Sequence, residues 1–255
     1  MFKRLLRSLQ KKPNSAVDIS CVERSIGYMF TRPDLLQQAF THQSYVTHPT
    51  NSDIYSNERL EFLGDAVLEL IVTQFLYDKY PAWREGELSK LKSVLVSRRV
   101  LARITSEFQL GSHLLMNRGE EQTGGKTRIS NLANLYEALL GAIYLDGGFD
   151  PAYRFIKHTL LDHFRQIITD ERNVNYKSVL LEYAQGNKLG APNYRLLQDS
   201  GPDHEKIFTV EVQVNSGISA VGEGRSKKLA EQEAAKELIG KIAPHLIENN
   251  GREDR

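Results

Sequence analysis

Asn131 to Leu145, NLANLYEALLGAIYL, is the stretch that most limits how this chain can fold: at helical spacing its apolar residues cover nearly the whole circumference. A helix of that kind needs neighbours on every side, so other elements must be packed around it. Glu137 stands in its middle, and a carboxylate is rarely buried unless it is paired or holds a metal ion. Asn134 and Gly141 share its face at i−3 and i+4, a polar stripe beside a small residue where another polar helix face can approach.

A second helix-length segment, NERLEFLGDAVLEL at 57 to 70, offers such a face. Glu58, Glu61 and Asp65 are spaced i, i+3, i+7 and fall in one sector, while Leu60, Leu63, Val67 and Leu70 cover another side expected to dock on a core. Gly64 inside a helix costs about 1 kcal/mol relative to alanine, and close approach of another backbone is the usual compensation. An acidic face also suits a solvated surface, with Arg59 giving ordinary surface pairing. If instead it meets the first helix, Glu61, Asp65, Asn134 and Glu137 converge as hard oxygen ligands of the kind that suits Mg²⁺ or Mn²⁺. Phosphodiester hydrolysis uses such an arrangement. A buried structural pair, such as Glu137 with an arginine, fits the spacing equally well.

Residues 20–168 are helical in pattern nearly throughout, with three- and four-residue apolar spacing in 60–76, 88–108 and 132–145 and no run of strands. Turn signals at 47–52, Tyr80-Pro81, Gly124-Gly125 and Asp146-Gly147-Gly148 divide the helices of this all-α domain. A polar linker, 169–174, leads to a small α+β domain, 175–245, of order α-β-β-β-α. Its expected elements are a helix at 176–185, strands at 194–198, 208–214 and 219–222, and a helix from Ser226 to Ile239. Flanking these are a basic N-terminal tail, 1–19, and a polar C-terminal tail, 246–255. The first twelve residues carry five basic side chains and no acid, which fits a solvated tail, a presequence or an extra RNA contact.

The single cysteine, Cys21, excludes an internal disulfide and a thiolate zinc site. No apolar run is long enough to span a bilayer and no signal-peptide pattern opens the chain, so a cytoplasmic protein with no membrane partner and no small-molecule cofactor is expected. A formal net charge of +1 gives no global sign of a nucleic-acid partner, so position has to supply it. The helix from Ser226 begins with Lys227 and Lys228 after Arg225, although cations in a first turn oppose the helix macrodipole. A phosphate there would remove the conflict, and Gly222-Glu223-Gly224 lets backbone come close. Exposed lysines, tolerated at small cost, are the plainer account.

These segments carry a resemblance to the ribonuclease III family of bacterial type. NERLEFLGDAVL at 57–68 resembles its signature helix almost letter for letter, and THQSY at 41–45, EGELSKLKSVLVS at 85–97 and NLANLYEALLGAIYLDGG at 131–148 agree in order. YKSVLLEYAQ, the loop Gly201-Pro202-Asp203-His204 and GEGRSKKLAEQEAAKELI are similar to a double-stranded-RNA-binding domain, and together the matches cover nearly all of 22–245. The resemblance implies a homodimeric, Mg²⁺-dependent endonuclease, with Mn²⁺ able to substitute, whose two subunits each cut one strand of an RNA duplex held in a valley. It implies 5′-phosphate and 3′-hydroxyl ends with short 3′ overhangs, in processing of ribosomal and messenger RNA precursors. Asp65 and Glu137 match the catalytic carboxylates, Glu61 a metal ligand, Glu58 an acidic neighbour and Glu85 another acid of the valley. Phe62 matches an aromatic that inserts into the partner subunit, although such a residue is by default ordinary core. Glu182, Gln185 and His204 would meet the minor grooves, and Arg225, Lys227 and Lys228 the phosphates between them. His204 by itself reads as a loop histidine, and Leu181 stands where some relatives have a glutamine, which puts one base contact in doubt.

One departure bears on the chemistry. The family usually has aspartate where this chain has Asn134, so an amide oxygen replaces a carboxylate and one negative charge is lost. Two readings follow: an active enzyme with a raised Mg²⁺ demand, or a double-stranded-RNA-binding regulator with weak or no cleavage.

Overall fold

The structure, a computed structural model, describes residues 17–46, 55–202, 205–215 and 217–248. His204, the turn at 47–52, and residues 1–16 and 249–255 of the two tails lie outside the described residues. The chain divides into two compact units between Ile167 and Ile168.

In the first unit α1 (Ile19–Ile26), α2 (Pro33–Ala39), α3 (Glu58–Lys79), α4 (Glu85–Leu95), α5 (Arg98–Glu107), α6 (Arg118–Gln122), α7 (Ile129–Gly147) and α8 (Phe149–Thr159) follow one another. A further helix, α9 (Phe164–Thr169), crosses the boundary between the units. Helix α7 is the axis expected from its composition. It packs against α2, α3, α5 and α8, and Leu135, Tyr136, Leu139, Leu140 and Ile143 are fully buried. Tyr136 keeps a hydrogen bond in that core, its hydroxyl 2.7 Å from Thr159 Oγ1, which offsets the cost of burying the phenol. At the end of α7, Gly148 adopts a φ of 83°, and the chain turns into α8.

The crossing of α3 and α7 is glycine-mediated on both sides. A Cβ on Gly64 would lie 1.7 Å from the Glu137 carbonyl oxygen, and one on Gly141 2.3 Å from the Leu60 carbonyl oxygen. The close approach expected at Gly64 is therefore to the backbone of Glu137 itself. Two expectations need correction. The pattern over 88–108 is broken into α4 and α5 at Val96-Ser97, where the Ser97 hydroxyl caps α5 by accepting from Val100 N at 3.4 Å. Leu70, expected on the docking side of α3 with the buried Leu60 and Val67, is 57% exposed, because the apolar stripe turns toward Leu68, Ile71 and Val72.

The second unit has α10 (Tyr176–Gly186), β1 (Asn193–Ser200), β2 (Ile207–Gln213), β3 (Ser219–Gly224), α11 (Lys227–Ile242) and the short α12 (His245–Glu248). The strands form one antiparallel sheet in the order β1-β2-β3, with a register shift between Leu196 and Gln198. Val210, Val212 and Val214 alternate onto the buried face, and α10 and α11 pack Leu180, Ala234 and Leu238 into one core with Val212 and Val214. The second unit gathers in part of the expected linker, since Lys236 Nζ donates to Glu171 at 2.7 Å. Gly222 and Gly224 correct another expectation: a Cβ on them would lie 2.1 Å from Ala234 N and 2.5 Å from Ala230 N. The space they leave is filled by the α11 backbone, so the two glycines serve sheet-to-helix packing.

Candidate active site

The first turn of α3 holds Glu58 and Glu61, where acids suit the positive end of the helix dipole. Its start is fixed by Asn57, which is buried: Asn57 N donates to the Thr41 carbonyl at 2.8 Å and Asn57 Nδ2 to the Ala39 carbonyl at 3.3 Å. One turn later Asp65 faces α7. From the other side of the crossing α7 presents Asn131, Asn134 and Glu137, three residues at i, i+3, i+6. These side chains, with His42, Gln43, Phe62, Val96 and Arg98, line one cavity of about 490 Å³.

Four carboxylates therefore share the cavity: Glu58, Glu61, Asp65 and Glu137. Burial, reinforced by Asp65 and Glu61, pushes the Glu137 carboxyl up to about 7, against the opposing pull of Arg98. Glu61 is also held above the ordinary carboxylate range, first by burial and then by Glu58, while Arg98 and a hydrogen bond from the Asn134 amide pull the other way. Like charges gathered on one wall in this way are what a divalent cation relieves. The donor set of carboxylate and amide oxygens fits Mg²⁺ or Mn²⁺. Among the described residues, however, no three His, Cys, Asp or Glu side chains are drawn tightly enough to enclose an ion. The converged ligand set expected from spacing is thus a shared cavity and not a closed chelate.

Phe62 stands at the rim of this cavity and is 81% exposed, so the ordinary-core reading of it is wrong for the single chain. Glu85 does not join the four acids. Helix α4 turns back along α3, with Lys92 Nζ 3.0 Å from Glu69, which leaves Glu85 beside Tyr77, Tyr80 and Trp83 in a separate cavity of about 540 Å³. There its carboxylate accepts from Ser89 Oγ at 2.6 Å. Sequence reasoning missed Asn57, Asn131, His42, Gln43 and Arg98. The 131-134-137 spacing could have found Asn131, and the THQSY segment contains His42 and Gln43. Only the break before α5 brings Arg98 to the cavity.

In the second unit the Ser226 hydroxyl caps α11 by accepting from Leu229 N at 3.3 Å, leaving Arg225, Lys227 and Lys228 exposed around that helix start. Lys227 and Lys228 line a cavity of about 640 Å³ with Lys177, Leu181, Tyr194 and Gln232. Glu182 and Gln185 are exposed on α10 and outside that cavity.

Residues 32–164 match the family described as Ribonuclease-III-like, and residues 176–242 match the double-stranded RNA binding motif. A protein of Bacillus cytotoxicus named Ribonuclease 3 is 43% identical over 220 residues, 86% of this chain and 89% of its own length. The chain belongs to the ribonuclease III family. A Ribonuclease 3 of Bacillus cereus is 42% identical over 88% of this chain and 91% of its own length. Among solved structures, a nuclease domain of ribonuclease III from Campylobacter jejuni superposes with a TM-score of 0.51 at 41% identity. It covers 56% of this chain and 98% of that one, and it is described as flexible in a region involved in dimer formation. The four-carboxylate cavity thus belongs to the part of the chain that matches the ribonuclease III nuclease domain. Among the described residues, no helix is long and apolar enough to cross a membrane.

Proposed function

We propose that the chain is a homodimeric, Mg²⁺-dependent endonuclease that hydrolyses phosphodiester bonds in double-stranded RNA. The products on this reading are 5′-phosphate and 3′-hydroxyl ends with short 3′ overhangs, and the work is maturation of ribosomal and messenger RNA precursors. The observation that carries the reading is the gathering of Glu58, Glu61, Asp65 and Glu137 in one open cleft, with Glu137 held up to about 7 by burial and by its acidic neighbours.

On this reading Glu61, Asp65, Glu137 and the Asn134 carbonyl oxygen hold the metal. The ion, when bound, supplies positive charge at the phosphate and an activated water. Asp65 and Glu137 are the catalytic carboxylates, and Glu58 is their acidic neighbour in the cleft. Phe62 is the dimer contact, its exposure at the rim covered by the second subunit. In the second unit the exposed Arg225, Lys227 and Lys228 take backbone phosphates, while Glu182, Gln185 and His204 reach minor grooves, the division by which such domains recognise A-form shape.

Asn134 favours a second reading, a double-stranded-RNA-binding regulator that cuts weakly or not at all. Incubation of a long duplex RNA and its single strands with the full chain and Mg²⁺ separates the two. Short duplexes with 5′-phosphates and recessed 5′ ends, formed from the duplex alone, support the endonuclease. Duplex retained intact but bound supports the regulator.

A further inference from the structure

Arg98 stands in the cleft opposite the acids, where its charge acts on Glu61 and Glu137 without a hydrogen bond to either. It is the first residue of α5, and the Ser97 cap fixes where that helix begins. Because α4 runs back along α3 before the chain breaks at Val96-Ser97, Val96 and Arg98 arrive at the level of Glu61 and Asp65 and line the same cavity. The side chain is exposed, and among the described residues it makes no hydrogen bond or ion pair with any of the four acids opposite. A cation in the first turn of a helix also opposes the macrodipole, so the position is not explained by the stability of α5.

The cleft sets an electrostatic problem for its own substrate. Four carboxylates line it, and an RNA strand brings a phosphate charge at every nucleotide. Divalent ions remove part of that repulsion, but Asn134 leaves the site with one fewer charge to hold them. Arg98 is the one Lys or Arg among the residues that line this cavity. Its guanidinium presents five donors in a planar fork that matches a phosphate, and no competing bond holds it in place.

We propose that Arg98 is a phosphate-binding residue of the cleft, gripping a backbone phosphate of the strand to be cut beside Glu61, Asp65 and Glu137. This rests on the endonuclease reading above. Arg98 supplies at that phosphate positive charge that a site with Asn134 draws less readily from bound metal.

The test uses the full chain carrying Glu137→Gln, so that duplex is bound and not consumed, with two unrelated RNA duplexes in Mg²⁺ at several salt concentrations. Adding Arg98→Ala should weaken binding to both duplexes alike and make the slope of log affinity against log salt shallower by about 1 for each phosphate contact removed. Arg98→Lys should restore most of the slope, because the charge is kept. The circular dichroism of each variant reports whether α5 is intact. In the absence of RNA, calorimetry of Mg²⁺ binding should show equal or tighter affinity for Arg98→Ala, since a cation has left the site. Unchanged affinity and slope in folded Arg98→Ala would overturn the proposal, as would a loss confined to one duplex sequence. A parent chain that binds neither duplex, together with a wild type that cuts neither, would instead overturn the endonuclease reading.

Discussion

Replacing Gly64 with alanine tests the link between the helix crossing and the site. The added methyl carbon would lie 1.7 Å from the Glu137 carbonyl oxygen. A carbon-to-oxygen contact needs about 3.3 Å, so α3 and α7 must separate locally by roughly 1.6 Å. Overpacking of that kind costs about 3 kcal/mol or more, against a gain of about 1 kcal/mol in helix propensity. The net loss expected in a denaturant melt is about 2 kcal/mol or more. Activity should fall further than stability, because the displaced carbonyl belongs to Glu137 and a misplacement of about 1 Å in a reacting group costs on the order of a hundredfold. Gly86→Ala is the matched control: it also lies in a helix, but its new methyl meets nothing within 4 Å. It should be neutral or stabilising by about 0.5 kcal/mol, with cleavage unchanged. Folded Gly64→Ala that melts like wild type and cuts duplex RNA at the wild-type rate would refute the link between the crossing and the site.

Asn134→Asp returns a fourth charge to the metal-holding set and should lower the Mg²⁺ concentration for half-maximal cleavage by about tenfold, roughly 1.4 kcal/mol of binding; a Mg²⁺ titration of the initial rate checks it. Replacing both Lys227 and Lys228 with alanine should weaken binding to all duplexes similarly and reduce the salt slope by about 2, read by filter binding. Without divalent ions, the Glu137 carboxyl is raised from the ordinary 4.5 to about 7 in the folded chain, so the folded state binds its proton more tightly than the unfolded chain does. Folding stability should therefore fall as pH rises from 4.5 to 7, by about 1–2 kcal/mol after discounting for solvent at the cleft mouth, and Glu137→Gln should flatten that window in pH-dependent melts.

The burial of α7 and the crossing at Gly64 were legible because each follows from a local rule: an apolar circumference needs neighbours, and a helical glycine beside acids needs a close partner. The alternation of Val210, Val212 and Val214 was legible for the same reason. What stayed hidden depends on how distant segments return. Arg98 reaches the carboxylates only because α4 doubles back along α3 and a serine cap restarts the helix at Ser97, and an unbroken 88–108 helix would have carried it elsewhere. That same reversal leaves Glu85 beside Trp83 and away from the four acids. Asn57 escaped notice because its partners, the carbonyls of Ala39 and Thr41, lie far back in the chain. Gly222 and Gly224 suggest room for an anion because spacing shows that backbone can approach but not which backbone does.

Cutting of double-stranded RNA in the cleft between α3 and α7, completed by Glu137, is open to direct test. The most direct measurement is the initial cleavage rate of one long RNA duplex across a Mg²⁺ titration, for wild type and for Glu137→Gln. Wild type should cut in a Mg²⁺-dependent way, and Glu137→Gln should lose at least about a hundredfold at every Mg²⁺ concentration with duplex binding retained. Cutting by Glu137→Gln at the wild-type rate, or none by wild type at any Mg²⁺ concentration, would contradict it.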